Sequence, residues 1–357
     1  MKDFKFRDNN FDLIRLLAAF QVAIVHMQNH LHLNISEKVI HFLGIFPGVP
    51  IFFVVSGFLI SASWERNSDI ISYSKNRFLR IYPALWIALL VSIFSVYFFY
   101  EIDFNSKKFW IWVVGQSTFV QFYNPDFLRG YGVGVLNGSL WTIPVELQFY
   151  FCLPLIYSFL KNQYTKKILI FIFLSIILSQ VYDSLNVFES LLIHKLFGVT
   201  VFPYLYMFLT GVLIQKNIFF IKRYLQNKFY FWLMEYMLLS LIFSWFGFKN
   251  TGNHINPILS INLALIIISF AYSCSGLSKK LLKDFDISYG IYIYHMVFVN
   301  ILVSIGSVKT IYSMFVCCLL TFSAAIISWK YIEKPSLILK SFSIKNAKSS
   351  IRIASQL

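Results

Sequence analysis

The sequence predicts an all-α, polytopic integral-membrane helical bundle with about 10 transmembrane helices, and three observations carry that prediction. Of the 357 residues, 58% are hydrophobic and 13% charged, where soluble domains carry about 25% charged residues. The apolar residues fall in blocks such as GVPIFFVVSGFLISASW (48–64), ALWIALLVSIFSVYFFY (84–100) and PILSINLALIIISFAYSC (257–274). Each block is close to the roughly 20 residues that cross a hydrocarbon core. Lysines and arginines gather on alternate connections between the blocks.

Spans are placed at 11–31, 42–63, 81–100, 140–160, 168–181, 198–215, 229–246, 257–275, 287–304 and 311–330. Before the first, Lys2, Lys5 and Arg7 imitate the charged region of a signal peptide. Asp12 and Arg15 interrupt the apolar run, and HMQNHLH offers no small-residue cleavage pattern, so this segment reads as a retained helix. The second span is followed by Arg66, Lys75, Arg77 and Arg80, which lead into the third. The connection 101–139 is the least regular part. Its aromatic segment FWIWVVGQSTFVQFY (109–123) is too short for a span and suits an interfacial or re-entrant piece. An eleventh span there would invert every later loop. The Gly-rich RGYGVGVLNGSLW (129–141) is a single copy and indicates neither a phosphate cradle nor an ion filter.

Lys161, Lys166 and Lys167 join the fourth and fifth spans. Lys216, Lys222, Arg223 and Lys228 join the sixth and seventh, and Lys279, Lys280 and Lys283 the eighth and ninth. This is the positive-inside pattern, with both termini cytoplasmic in a bacterial-type inner membrane. It accounts for the net charge of +15, so no nucleic-acid partner is expected. The organisation expected is a membrane domain at 1–335 and a short basic cytoplasmic tail at 336–357. Cys152, Cys274, Cys317 and Cys318 lie in apolar segments without metal or redox spacing.

Polar side chains inside the spans are costly and point to function. Arg15 and His26 are eleven residues apart, which leaves them roughly 20° apart in azimuth and about 16 Å apart along one helix face. Asp12 stands at i,i+3 to Arg15 for an ion pair. Arg15 also has a plainer reading as an anchor that snorkels to the surface. His26 and His30 have the i,i+4 spacing of two metal ligands, with His32 nearby. Uncoordinated interfacial histidines are the stronger reading, and no metal is expected. In SLWTIPVELQFYF (139–151), Glu146 lies inside the fourth span with Tyr150 one turn on. A carboxylate at that depth suits orienting an imidazole such as that of His26, and the plainer alternative is bonding to backbone freed by Pro144. In DISYGIYIYHMVF (286–298), Tyr289, Tyr292 and His295 fall on one side of the ninth span, where an interhelical structural histidine competes with a site role. In KNRFLRIYP (75–83), Arg77 and Arg80 are paired to grip an anionic group, or to act only as an inside anchor.

Taken together these motifs resemble the acyltransferase-3 family, membrane proteins that acylate, most often O-acetylate, glycans and other acceptors. The matching positions are Asp12, Arg15 and His26, the FFVVSGFLI segment (52–60), and Arg77, Arg80, Tyr82 and Pro83. Further matches are Leu140, Trp141, Glu146 and Tyr150, then Ser288, Tyr289, Tyr292 and His295, and finally YIEKPS (331–336). The added extracytoplasmic esterase-like domain of some relatives is not expected here. The resemblance implies acetyl-CoA or another acyl-CoA as donor and an envelope saccharide hydroxyl as acceptor. On that reading Arg77, Arg80 and Tyr82 bind the donor. His26 acts as general base, Glu146 orients it, and Arg15, Tyr289 or Tyr292 stabilises the oxyanion. Asp12, Trp141, Tyr150, Ser288 and His295 support the site. Direct transfer and an acyl-His26 intermediate both stand open at this stage, as does a transporter of a lipid-linked saccharide or acyl group.

Overall fold

A computed structural model describes residues 8–159, 164–185, 191–274 and 276–339. Lys2, Lys5, Arg7, Lys161 and the tail beyond residue 339 lie outside the described residues. The helices in chain order are α1 (Phe11–His30), α2 (Glu37–Ile45), α3 (Gly48–Arg66), α4 (Ile70–Phe99), α5 (Lys107–Ser117), α6 (Thr142–Phe159), α7 (Tyr164–Ser184), α8 (Leu192–Gly198), α9 (Leu205–Lys216), α10 (Ile218–Phe220), α11 (Phe229–Trp245), α12 (Pro257–Ala271), α13 (Leu277–Leu282), α14 (Ser288–Ser304) and α15 (Ile311–Ser328). Each of the ten expected spans overlaps helix among the described residues, with 42–63 broken at Phe46–Pro47 and 198–215 between Gly198 and Phe202. Phe11–His30, Glu37–Arg66, Ile70–Phe99, Tyr164–Ser184 and Ile311–Leu339 are long and apolar enough to cross a membrane. Leu192–Gly198 and Phe202–Lys216 together form a sixth candidate, bent by 48°. Pro203 and Gly198 at the break explain the bend. Phe229–Trp245, Pro257–Ala271 and Ser288–Ser304 are apolar but shorter.

Many large apolar side chains are exposed, the reverse of a soluble surface. On α11, Phe231, Met234, Leu238, Leu241 and Trp245 all face outward, an arrangement that lipid, not water, tolerates. Within the helices Ser61, Ser92, Ser175, Ser269, His295 and Asn300 are buried. Together these features mark a multi-pass membrane protein.

Element boundaries shift from the expected ones for local reasons. Helix α4 begins at Ile70 rather than 81, because the Asp69 carboxylate accepts from Ser72 N at 2.7 Å and caps it. Its added turns carry Arg77 and Arg80. Pro47 separates α2 from α3. After Ser328, α15 continues through a widened turn at Trp329–Glu333 and on to Leu339, so residues 336–339 are helical rather than tail. Pro335 has no N–H for the carbonyl of Tyr331, which accounts for the widening.

Helices α3 and α9 cross closest. An added Cβ on Gly57 would sit 2.0 Å from Phe208 O, and one on Gly211 2.2 Å from Val54 O. Backbone-to-backbone contact of this kind is how apolar helices associate where lipid removes the hydrophobic drive. Helix α14 is buried along nearly its whole length between α1, α4 and α15. The start of α1 is tied to the far end of α12 through Asn10, whose Nδ2 donates to Ser273 O at 2.7 Å and whose Oδ1 accepts from Ser278 N at 2.9 Å.

The 101–139 connection forms a second small core of Val96, Phe109, Trp112, Leu128, Tyr131 and Leu136, with α5 against α4. Its Gly-rich stretch docks on α14 at Asn300. Asn300 Oδ1 accepts from Val133 N at 2.8 Å, and Nδ2 donates to Leu136 O at 2.9 Å. Gly132 has φ +54°, and a Cβ there would meet Asn300 Oδ1 at 2.0 Å. Only glycine fits both demands.

Overfilling the α3–α9 contact is expected to destabilise the bundle by at least about 1–3 kcal/mol. Gly57→Leu therefore lowers the melting temperature in detergent micelles. Gly138→Ala, where the nearest atom is 3.8 Å away, leaves it unchanged.

Candidate active site

One face of α1 meets α14 at two levels. At one level Arg15 reaches Asp286, just before α14, at 3.1 Å. At the other, His26 Nδ1 lies 2.8 Å from His295 Nε2. The expected shared azimuth of Arg15 and His26 is what brings both to the same neighbour. Asp286 also holds Arg80 of α4 at 2.8 Å, so two guanidiniums share one buried carboxylate. Arg15 pairs with Asp12 as well. Burial by itself raises the Asp286 pKa. The Arg15 and Arg80 charges and the Ser288 hydroxyl outweigh it and hold the carboxyl well below the ordinary carboxylate range.

Proton positions in the histidine pair follow from hydrogen-bond logic. His295 Nδ1 is 3.0 Å from the Ile291 carbonyl, an acceptor only, so that nitrogen donates. A neutral His295 then accepts at Nε2, and His26 donates from Nδ1. This leaves His26 Nε2 with a free lone pair. A half-buried imidazole locked in one tautomer by a second group is the arrangement of a general base.

Two cavities approach this α1–α14 seam. The first, about 120 Å³, opens among basic side chains at the end of the bundle that holds Arg15, Arg77 and Arg80. Glu146 lies here too, where its Oε1 accepts from Ser56 Oγ at 2.6 Å and from the Tyr150 hydroxyl. Arg77 lies over the rings of Tyr73 and Tyr150 at 5.8 and 5.7 Å. Among the described residues it has no carboxylate partner, and its Nε and that of Arg15 are buried without a hydrogen bond. The second cavity, about 550 Å³, is walled by His26, Gln28, Asn29, Trp141 and Asn253 among others. Val49 and Tyr292 belong to both walls. They form the partition. Tyr292 is held in place by Ser139 O at 2.8 Å and Thr142 Oγ1 at 2.7 Å, with Phe52 edge-on to its ring.

The geometry corrects four sequence expectations. Glu146 does not orient His26; His295 does. Helix α6 starts at the Tyr292 partition, so Glu146, one turn further, falls on the arginine side. Tyr82 is not brought to the arginine-lined cavity, because its hydroxyl donates to Thr118 O at 2.8 Å on the α5 flank. Tyr292 has its hydroxyl taken by Ser139 and Thr142 and serves as the partition rather than as an oxyanion donor. Arg15 is held between Asp12 and Asp286, about 16 Å along the helix from His26, too far to share one reacting carbonyl. Tyr289 lines the arginine cavity and donates to Ile81 O at 3.1 Å. His30 is placed near His26, with ring centroids 5.9 Å apart. Among the described residues no three His, Cys, Asp or Glu side chains are grouped to hold a metal.

Set against known proteins, residues 8–330 match the family model of the acyltransferase-3 family, described as an acyltransferase domain. The chain belongs to the acyltransferase-3 family. It is 30% identical to "Nodulation protein 10" of Rhizobium leguminosarum bv. viciae, over 93% of this chain and 94% of that protein. It is 26% identical to an "O-acetyl transferase" of Shigella phage Sf6, over 92% and 96%. It is also 32% identical to "Peptidoglycan O-acetyltransferase OatA" of Listeria monocytogenes, over 45% of this chain and 26% of that protein. No solved structure matches.

In this acyltransferase, sequence reasoning missed Asp286, Ser56, Gln28 and Asn300. Asp286 had a signal: two arginines inside an apolar bundle require an anion, and it heads the DISYGIYIYHMVF segment. Asn300, an amide five residues after His295 in the same span, had one too. Ser56 had none beyond its place in FFVVSGFLI.

Removing the shared carboxylate leaves Arg80 facing Arg15 without Asp286, both partly buried and Arg15 with Asp12 alone, which costs up to about 3–5 kcal/mol. Asp286→Asn is therefore expected to melt well below wild type. A depressed carboxyl pKa stabilises the fold above the unfolded value of about 3.9 and loses that contribution as pH falls towards the folded value. The difference in melting temperature between wild type and Asp286→Asn should thus be constant from about pH 5 to 8 and shrink below about pH 4.

Proposed function

We propose that this acyltransferase is an O-acyltransferase. It moves an acetyl or other short acyl group from acyl-CoA to a hydroxyl of an envelope polysaccharide or lipid-linked saccharide. The basic end faces the cytoplasm, in a bacterial-type inner membrane with both termini inside. One observation carries the reading: an arginine-lined cavity and a histidine-walled cavity back onto the same partition at Val49 and Tyr292. A donor that exists on one side of a membrane and an acceptor on the other require such a meeting point. The O-acetyl transferase of Shigella phage Sf6, alike along 92% of this chain, supports the reaction type.

The arginine cavity suits the anionic end of a CoA ester, taken here as a substrate. Arg77 keeps its guanidinium uncommitted to carboxylate, and guanidinium grips phosphate oxygens in a fork. Arg80, tied to Asp286, contributes field rather than a free fork. The thioester then lies towards the partition. The acceptor hydroxyl reaches His26 from the second cavity, and His26 Nε2 takes its proton as the oxygen attacks the thioester carbonyl carbon. The tetrahedral adduct collapses with cleavage of the C–S bond. The leaving thiolate recovers the proton from the His26 imidazolium, and atoms and charge balance. His295 acts as a positioning residue that holds the reactive tautomer.

The test follows labelled acetyl-CoA in membranes containing wild type or His26→Ala at matched protein level. Base-labile ester on envelope glycan is expected with wild type only, the variant being slower by about 10²- to 10⁴-fold. Equal labelling would remove His26 from the chemistry, and no labelling in either would sink the acetyl-CoA reaction.

A further inference from the structure

The two cavities differ in charge, and that difference says what each accepts. Three arginines line the first. No lysine or arginine lines the second, whose charged wall residue is Glu37 and whose other polar groups are amides, hydroxyls and histidines. Its roughly 550 Å³ lies within the range of small-ligand sites, about 300–1,000 Å³. Trp141 stands in its wall and is braced from behind. Its ring packs on Tyr204 at 5.3 Å between centroids. The Tyr204 hydroxyl donates to Gly198 O at 3.0 Å and lies 3.0 Å from His254 Nε2. His254 Nδ1 in turn is 3.3 Å from Asp183. This brace adjoins the wall residues Thr251 and Asn253. Gln28 Oε1, also at this cavity, is buried without a hydrogen-bond partner among the described residues.

The geometry points to the second cavity as an acceptor site for an uncharged sugar residue, with Trp141 as the stacking platform under the ring. Amide groups of Gln28, Asn29 and Asn253 take hydroxyls, and one hydroxyl is left for His26. Sugar C–H faces pack on an indole, and amides and carboxylates satisfy hydroxyl donors. Acidic sugars are disfavoured, because Glu37 faces the carboxylate and no cation on the wall offsets its desolvation. This inference rests on the saccharide-acceptor reading and deepens it.

The experiment is equilibrium dialysis of a labelled glucose trisaccharide against full-length His26→Ala protein in micelles. The comparison ligand is the same trisaccharide oxidised to glucuronate at each C6. Saturable binding of the neutral ligand is expected, with the charged one bound about tenfold more weakly or worse. Adding Trp141→Ala should weaken neutral binding by about tenfold. Trp141→Phe, which retains an aromatic face against Tyr204, should fall in between and guards against simple misfolding. Glu37→Lys, at an exposed position, should narrow the gap between the two ligands. Equal binding of both, binding indifferent to Trp141, or no neutral binding overturns the assignment. Binding that depends on Trp141, without any transfer by wild type, leaves the cavity assignment standing and sinks the reaction instead.

Discussion

The pairing of α1 with α14 is the constraint on which the rest depends. Its two rungs, Arg15 with Asp286 and His26 with His295, join helices far apart in sequence through polar bonds inside an apolar bundle. Such bonds are costly to break, since lipid offers no replacement partner. They fix rotation and depth together. Arg80 joins the lower rung through the same carboxylate, which ties α4 to the seam. The arginine cavity is therefore shaped by charge pairing as much as by packing.

From that seam the division of space follows. Tyr292 lies on α14 between the two rungs, and the loop before α6 wraps α14 to hold it there. Ser139 and Thr142 engage its hydroxyl, Asn137 Nδ2 donates to Ile293 O at 2.8 Å, and Asn300 clamps the Gly-rich stretch. The irregular connection is thus docked on α14 through Asn137, Ser139 and Asn300. Gly132 serves close approach to the Asn300 amide. Arginine charge is kept on one side of Tyr292 and an amide-rich wall without lysine or arginine on the other. That segregation is what a group transfer between chemically unlike substrates requires.

Much of this was legible in the chain. Apolar blocks placed helix within each expected span, five or six of them long and apolar enough to cross, because a helix in lipid must satisfy its backbone internally and announces itself by composition. The eleven-residue spacing of Arg15 and His26 put them on one face, because helical geometry is fixed by the backbone. The pairing of Asp12 with Arg15 followed from the same periodicity. The partners of those residues were not legible. Glu146 was the expected partner of His26 and His295 is the one that meets it, since depth along a helix does not say which neighbour lies across the gap. Tyr82 turned away for a similar reason: its azimuth on α4 faces the α5 flank, a surface the sequence does not mark.

By itself, then, the sequence determined the class of fold, the helices and the identity of the costly polar side chains, all of which depend on local periodicity and on the solvent around the chain. Only the tertiary structure decided that His295 holds His26, that Asp286 is shared by Arg15 and Arg80, and that Glu146 lies across the partition from the histidines. Those outcomes depend on which helices pack side by side and at what rotation. Close contacts such as Gly57 against Phe208 O set that packing, and they join residues that no local pattern connects.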